Sequence, residues 1–333
     1  MLNRVWLYET AGTPVVGGSP PTISSLSYTV GDPAGDGQSI VINGTNLGSV
    51  TAVTFGGTSA TITAQTSTTV TVTLPAHAAG LVDVVVTNPD GSDTATNGFE
   101  YWDPTQISDL VVFVDAEKGV TAASNLVSDW ADQSGNGNDL SESTDKFTYT
   151  ATDFGSLHGL TTDGTKQLVG SRHVQNLGRS IFWVTKHLSN KTSRVDYAGN
   201  SPLTVIGDET GSINCTAGFS AGELCYMNFI ASWNETKRGS GLNDGVARLY
   251  GWTHDLSGDL KGYVGAAQQG TTETGQVYDS TAEGYNAIGQ GFGGGFGDGF
   301  VGDIAAALVI NGIISGGDLT KLNGWSQQRW GTP

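Results

Sequence analysis

At 333 residues the chain is long enough for two domains, each with its own core. Glycine contributes 49 residues and charged residues only 14%, with Thr, Ser, Val and Asn abundant, which points to short strands and tight turns instead of helices. Eight Trp, ten Tyr and eleven Phe supply enough apolar area to exclude a disordered chain. The formal charge of −17 leaves no basic stripe for phosphates, which excludes nucleic-acid partners and disfavours anionic membranes. No run approaches 18 apolar residues, so no helical membrane span is expected.

Residues 1–18 read as an arm and linker. Val5, Trp6, Leu7 and Tyr8 form a short strand-like segment, and Gly12, Pro14, Gly17, Gly18, Pro20 and Pro21 follow as an extended hinge. Such an arm docks on a neighbour by adding a strand to a sheet edge, or it is a frayed terminus. Both readings stay open.

Residues 1–102 carry one basic side chain, Arg4, against seven acidic ones. Ile40–Ile42, Val50–Phe55, Ala60–Thr63, Val70–Leu74 and Val82–Val86 have strand periodicity. Asn43-Gly44, Gly56-Gly57 and Asn88-Pro89-Asp90-Gly91 are expected to turn between them. That spacing predicts an aligned β-sandwich. The runs Pro21 to Ser27, Gly37 to Leu47, Val53 to Gly57, Val70 to Pro75 and Gly80 to Gly91 together resemble an IPT/TIG immunoglobulin-like domain. The resemblance implies a spacer or contact module without chemistry.

Residues 103–333 are expected to form a second β domain, opening on the buried-type strand Leu110–Val114. The following run, Trp130-x-Asp132-x-Ser134-Gly135-x-Gly137-x-Asp139, resembles the start of laminin-G-like, concanavalin-A-type jelly rolls. Leu160 to Gly164 and Asp298 to Asn311 resemble two further landmarks of that family, with Ala306 or Ala307 where an acidic residue is usual. Ser315–Gly331 is the one predicted helix: Leu319, Leu322, Trp325 and Trp330 fall near helical spacing, and Gly331 suits the stop. The family also ends in a short helix with a closing Trp-Gly.

Several residue sets could carry chemistry. The nearest approach to a glycosidase carboxylate pair is Asp115 with Glu117, while the Glu-x-Asp-x-x-Glu strand of the related glucanases is absent. No catalytic residues are therefore expected. Asp132, Asn136, Asn138 and Asp139 offer oxygens to a structural Ca²⁺, or they make local side-chain turns while Gly135 and Gly137 take positive φ. Trp233, Trp252 and Tyr285 lie in polar, turn-rich surroundings and are candidates for glycan contact. Gly289 to Gly294 spells one Gly-x-Gly-x-x-Gly, but without a strand before and a helix after it reads as a glycine-rich loop. Cys215 and Cys225 either close one disulfide or remain two free thiols.

The expected whole is all-β: an immunoglobulin-like sandwich, then a concanavalin-A-like jelly roll with a short C-terminal helix. Both resemblances occur in phage structural proteins, and Met1 to Glu9 is too short and polar for a secretory signal. They imply a structural or adhesive protein of a virion surface, a head decoration or fibre. Its partners would be other virion proteins, copies of itself and cell-surface glycans, with no cofactor required. The alternatives are a secreted bacterial carbohydrate-binding module and a glycoside hydrolase.

Overall fold

The structure is a computed structural model. It describes residues 18–333 except 143, 145, 164–166, 175–177, 188–205, 211–212, 221–222, 230–232, 239–243, 276–282 and 290–300. Val5 to Tyr8 of the expected arm and the glycine-rich run 290–300 lie outside the described residues. Among the described residues strands dominate, and the one α-helix is Gly316–Trp330. The chain divides into two compact units, residues 1–29 with 33–101, and residues 30–32 with 102–333.

The first unit is a sandwich of antiparallel sheets. One sheet runs Thr22–Leu26, Ser39–Thr45, Thr69–Thr73, Thr61–Gln65; the other contains Gly91–Tyr101, Gly80–Asn88, Ala52–Phe55 and Thr58–Ser59 in that order. Alternation decides what is buried. In Thr69–Thr73 the two valines, Val70 and Val72, are fully buried and the threonines face outward. Val82, Val84 and Val86 repeat the pattern from the facing sheet. Between them Phe55, Phe99 and Tyr101 pack edge to face, with ring centroids 5.2 and 5.1 Å apart.

Gly56 and Gly57, both at positive φ, make the expected two-residue hairpin turn. Asn43-Gly44 does not turn as expected. It lies inside the strand Ser39–Thr45, where a Cβ on Gly44 would sit 1.7 Å from the Thr22 carbonyl oxygen. That glycine allows close approach of a neighbouring backbone, the other use of Gly in a strand.

In the second unit the strand Val301–Asn311 is central. Along one edge it pairs with Arg179–His187 over its whole length. Along the other it pairs first with Leu157–Asp163 and then with Leu110–Asp115. Arg179–His187 continues the sheet to Ala247–His254, Leu260–Val264 and Ala267–Glu273. Residues Ile304 to Ile310 are all buried, so the strand is an unbroken apolar run instead of an alternating one. Large side chains pack over small neighbours. A Cβ on Gly251 would fall 2.0 Å from the Phe182 ring, which occupies that space, and Trp183 pairs with Ala307.

The helix has the expected bounds for local reasons. The Ser315 side chain accepts from the Asp318 amide at the N-terminus, and Gly331 closes the C-terminus at φ 66° with its N–H on the Gln327 carbonyl. Leu319, Leu322, Trp325, Ser326, Arg329 and Trp330 form its buried stripe.

In the hairpin Ile213–Ser220 with Glu223–Phe229, Cys215 pairs with Asn228 and Cys225 with Gly218. The two cysteines are thus three residues out of register, about 10 Å along a strand, beyond the roughly 7 Å Cα limit of a disulfide. Labelling the denatured, unreduced protein is expected to find two free thiols; one intact disulfide would contradict this register.

The Tyr101 hydroxyl donates to the Pro75 carbonyl at 2.8 Å from a fully buried ring, and burial pushes its ionisation far above the usual phenol range. Tyr101→Phe is expected to lower stability by about 1 kcal/mol in urea titration, because the ring packing survives and one hydrogen bond is lost.

Candidate functional site

The opening strand Leu110–Asp115 ends at the residue the sequence marks for acid chemistry, and Glu117 lies in the turn that follows. The structure does not bring them together as a catalytic pair. Asp115 is fully buried. Its Oδ1 accepts from the Glu117 amide at 2.8 Å, and its Oδ2 lies 2.9 Å from Arg329 Nη2. That approach pairs the two opposite charges. Burial pushes the Asp115 carboxyl up, while Arg329, the Glu117 amide and Lys118 pull against that shift.

A second buried carboxylate, Asp32, counts with the same unit. Its Oδ2 accepts from Lys118 Nζ at 3.1 Å and lies 3.4 Å from Arg329 Nη1 and from the Trp325 indole nitrogen. The Asp115 carbonyl accepts from the Trp130 indole at 2.9 Å. Two carboxylates therefore face two cations beneath the helix, and neither carboxylate meets solvent. Sequence reasoning missed Asp32 and Arg329 because nothing local marks either; they lie 297 residues apart.

Glu117 belongs to a different, half-buried group. Its Oε1 accepts from the His158 backbone amide and lies 2.8 Å from His158 Nδ1. The imidazole stacks on Tyr149 with centroids 4.6 Å apart and planes 7° apart, and the Tyr149 hydroxyl donates to the Ala116 carbonyl. Burial, with Glu117 and Asp115 close by, raises the Tyr149 ionisation.

The Trp130–Asp139 motif is spent on the loop itself. Asp132 Oδ1 accepts from the Phe113 and Ser134 amides at 2.9 and 2.8 Å. Its Oδ2 accepts from the Ser134 hydroxyl and the Asn138 amide at 2.6 and 3.0 Å. Asp139 accepts from the Asp132 amide at 2.8 Å. Asn136 and Asn138 donate to the carbonyls of Leu110 and Val111 at 2.7 and 2.8 Å. Gly135 and Gly137 take φ 85° and 71°. Both Asp132 oxygens already hold two donors, the place a cation would take, so the residues present suit side-chain turns better than an ion. Among the described residues no cluster of three or more His, Cys, Asp or Glu could hold a metal.

The glycan-contact expectation at Trp252 is corrected. Trp252 is 1% exposed and lies over Gly262, where a Cβ would fall 2.9 Å from its ring, so it presents no face to a sugar. Trp233 begins the strand Trp233–Arg238, and Tyr285 lies in Glu283–Gly289 opposite Arg172; their side chains lie outside the described residues.

Residues 21–101 match the IPT/TIG domain family, so this segment is an IPT/TIG immunoglobulin-like domain. A search of curated proteins gives no match. Among solved structures the chain is similar to the binding domain of Paraclostridial Mosquitocidal Protein 1, at 11% identity and TM-score 0.45, over 65% of this chain and 52% of that one. It is also similar to a Trypanosoma rangeli sialidase, at 13% identity and TM-score 0.46, over 71% and 35%. The botulinum neurotoxin DC binding domain, seen in complex with rat synaptotagmin II, aligns at 12% identity and TM-score 0.49, over 67% and 55%. The chain thus spans about half of the first of these structures and about a third of the second.

Asp132→Ala is expected to cost about 3 kcal/mol in urea titration, since it strips four donors of their acceptor. The melting temperature of the wild type is expected to be the same in calcium and in chelator. A clear rise with calcium would show that this loop takes the ion.

Proposed function

We propose that the chain is a non-enzymatic structural and adhesive protein at the surface of a phage particle, a head decoration or fibre. Its N-terminal part anchors it, and residues 103–333 face outward to contact host glycans. Its partners are other particle proteins and further copies of itself. The observation that carries the non-enzymatic part is the burial of Asp115 against Arg329: the carboxylate best placed by sequence for hydrolysis is held away from any substrate. An IPT/TIG domain beside a second β domain supports a role in contact and display.

Charge supports the crowding part of the reading. Copies of a chain at −17 repel one another, yet residues 37–82 contain no Asp, Glu, Lys or Arg. The four-stranded sheet of the first unit draws three of its strands from that stretch and the fourth from the uncharged Thr22–Leu26. Neighbouring copies can approach over that sheet without meeting like charge.

Imaging of labelled protein on particles tests the location, with many symmetric copies on heads or on fibres expected. A glycan array with the full chain tests adhesion. Trp233→Ala and Tyr285→Ala are expected to weaken any glycan signal about tenfold or more while the fold persists. Polysaccharide cleavage by the wild type, lost in Glu117→Gln, would replace this reading with a hydrolase.

A further inference from the structure

A third set of carboxylates lies apart from the Asp115 cluster. Lys186, Asp303 and Thr161 stand in register across three neighbouring strands, Arg179–His187, Val301–Asn311 and Leu157–Asp163. Thr161 Oγ1 lies 2.9 Å from Asp303 Oδ1 and 3.0 Å from Asp153 Oδ2, and the Thr150 hydroxyl is 3.3 Å away. Asp303 is 6% exposed and Asp153 is half-buried.

A hydroxyl carries one hydrogen. Thr161 can donate to one of these carboxylates, which leaves the other gap of about 3 Å without a hydrogen if both are ionised. Two lone pairs would then face each other beside a second negative charge, in a site largely shielded from water. One added proton completes the set: Asp303 O–H donates to Thr161 Oγ1, and Thr161 O–H donates to Asp153 Oδ2.

Two backbone features are shaped around this arrangement. Thr152, a β-branched residue, sits at φ 87° within the register shift between Thr150 and Phe154, a strained conformation that sets the course of the chain into Asp153. Gly159 leaves room for the carboxylate, since a Cβ there would fall 2.9 Å from both Asp153 Cβ and Oδ2.

The charged groups acting on the pair, among the described residues, are Lys186 from Arg179–His187 and His158 from Leu157–Asp163. Lys186 favours ionisation of both carboxyls and His158 that of Asp153, yet neither influence prevails. Lys186 Nζ is held 4.8 Å over the Phe154 ring.

We propose that Asp153, Thr161 and Asp303 form a proton-sharing latch that ties Thr148–Phe154, Leu157–Asp163 and Val301–Asn311 together in mildly acidic solution and loosens as the proton leaves. Burial first, and the Asp153 charge second, push the Asp303 carboxyl up to about 6 from 3.8, and Asp153 is raised in the same direction. The folded state therefore binds this proton more tightly than the unfolded chain does. The site's stabilisation is complete below about pH 4 and is lost as pH rises through about 6.

Urea titrations of the wild type and Asp303→Asn at about pH 5 and about pH 8 test the latch. The asparagine amide donates to Thr161 at every pH. The wild-type midpoint is expected to fall on going to pH 8. In D303N at least about half of that fall should disappear, and at pH 8 its midpoint should equal or exceed the wild type's. An equally steep fall in D303N, or a lower midpoint than wild type at pH 8, would overturn the proposal. Should D303N fail to fold, infrared spectra of the wild type decide: a protonated-carboxyl band present at pH 5 and lost by pH 8 supports it, and no such band at pH 5 sinks it.

Discussion

One guanidinium organises the end of the second unit. Arg329, 4% exposed on the last turn of the helix, reaches two carboxylates that are themselves buried, Asp115 and Asp32. Taking charges out of water costs several kcal/mol per ion, and their mutual attraction offsets this only when the set is complete. Lys118, partly exposed, supplies the second positive charge and brings the cluster to balance. The pair fixes where the opening strand stops and where the helix lies, and Phe113 against Trp325 at 5.8 Å seals the apolar side of the contact.

The same economy of polar groups runs through the motif that follows the opening strand. Trp130 sends its indole N–H to the Asp115 carbonyl, and Asp132 collects four donors from the adjacent backbone and side chains. A pattern that in sequence looks like a possible ligand set is a device for pinning the loop to the strand Leu110–Asp115. Its glycines are needed because two positions must take positive φ.

Much of the fold was legible because it depends on short-range pattern. Alternating valines and threonines announced Thr69–Thr73, and the apolar spacing with a glycine after it marked the helix and its end. The paired glycines at 56 and 57 turned as their type demands, whereas Gly44 served close packing, a distinction that depends on a neighbour 22 residues upstream. The candidate sites were less legible for the same reason. Trp252 reads as a polar-flanked aromatic, but its burial depends on Gly262 across a strand pair. Asp115 reads as a free acid until Arg329 arrives from the far end of the chain. Thr161 and Asp303 each lie in a family landmark, but nothing in the sequence brings them together with Asp153; a bulge and a sheet register assemble the set.

The central claim, that Asp115 is a structural ion-pair partner instead of a catalytic acid, is tested most directly by a double-mutant cycle on folding stability. Asp115→Asn, Arg329→Met and the double variant should show strong coupling. Each single change should cost about 3–5 kcal/mol, and the double variant clearly less than their sum. Additive losses, or an Asp115→Asn variant as stable as the wild type, would contradict the account.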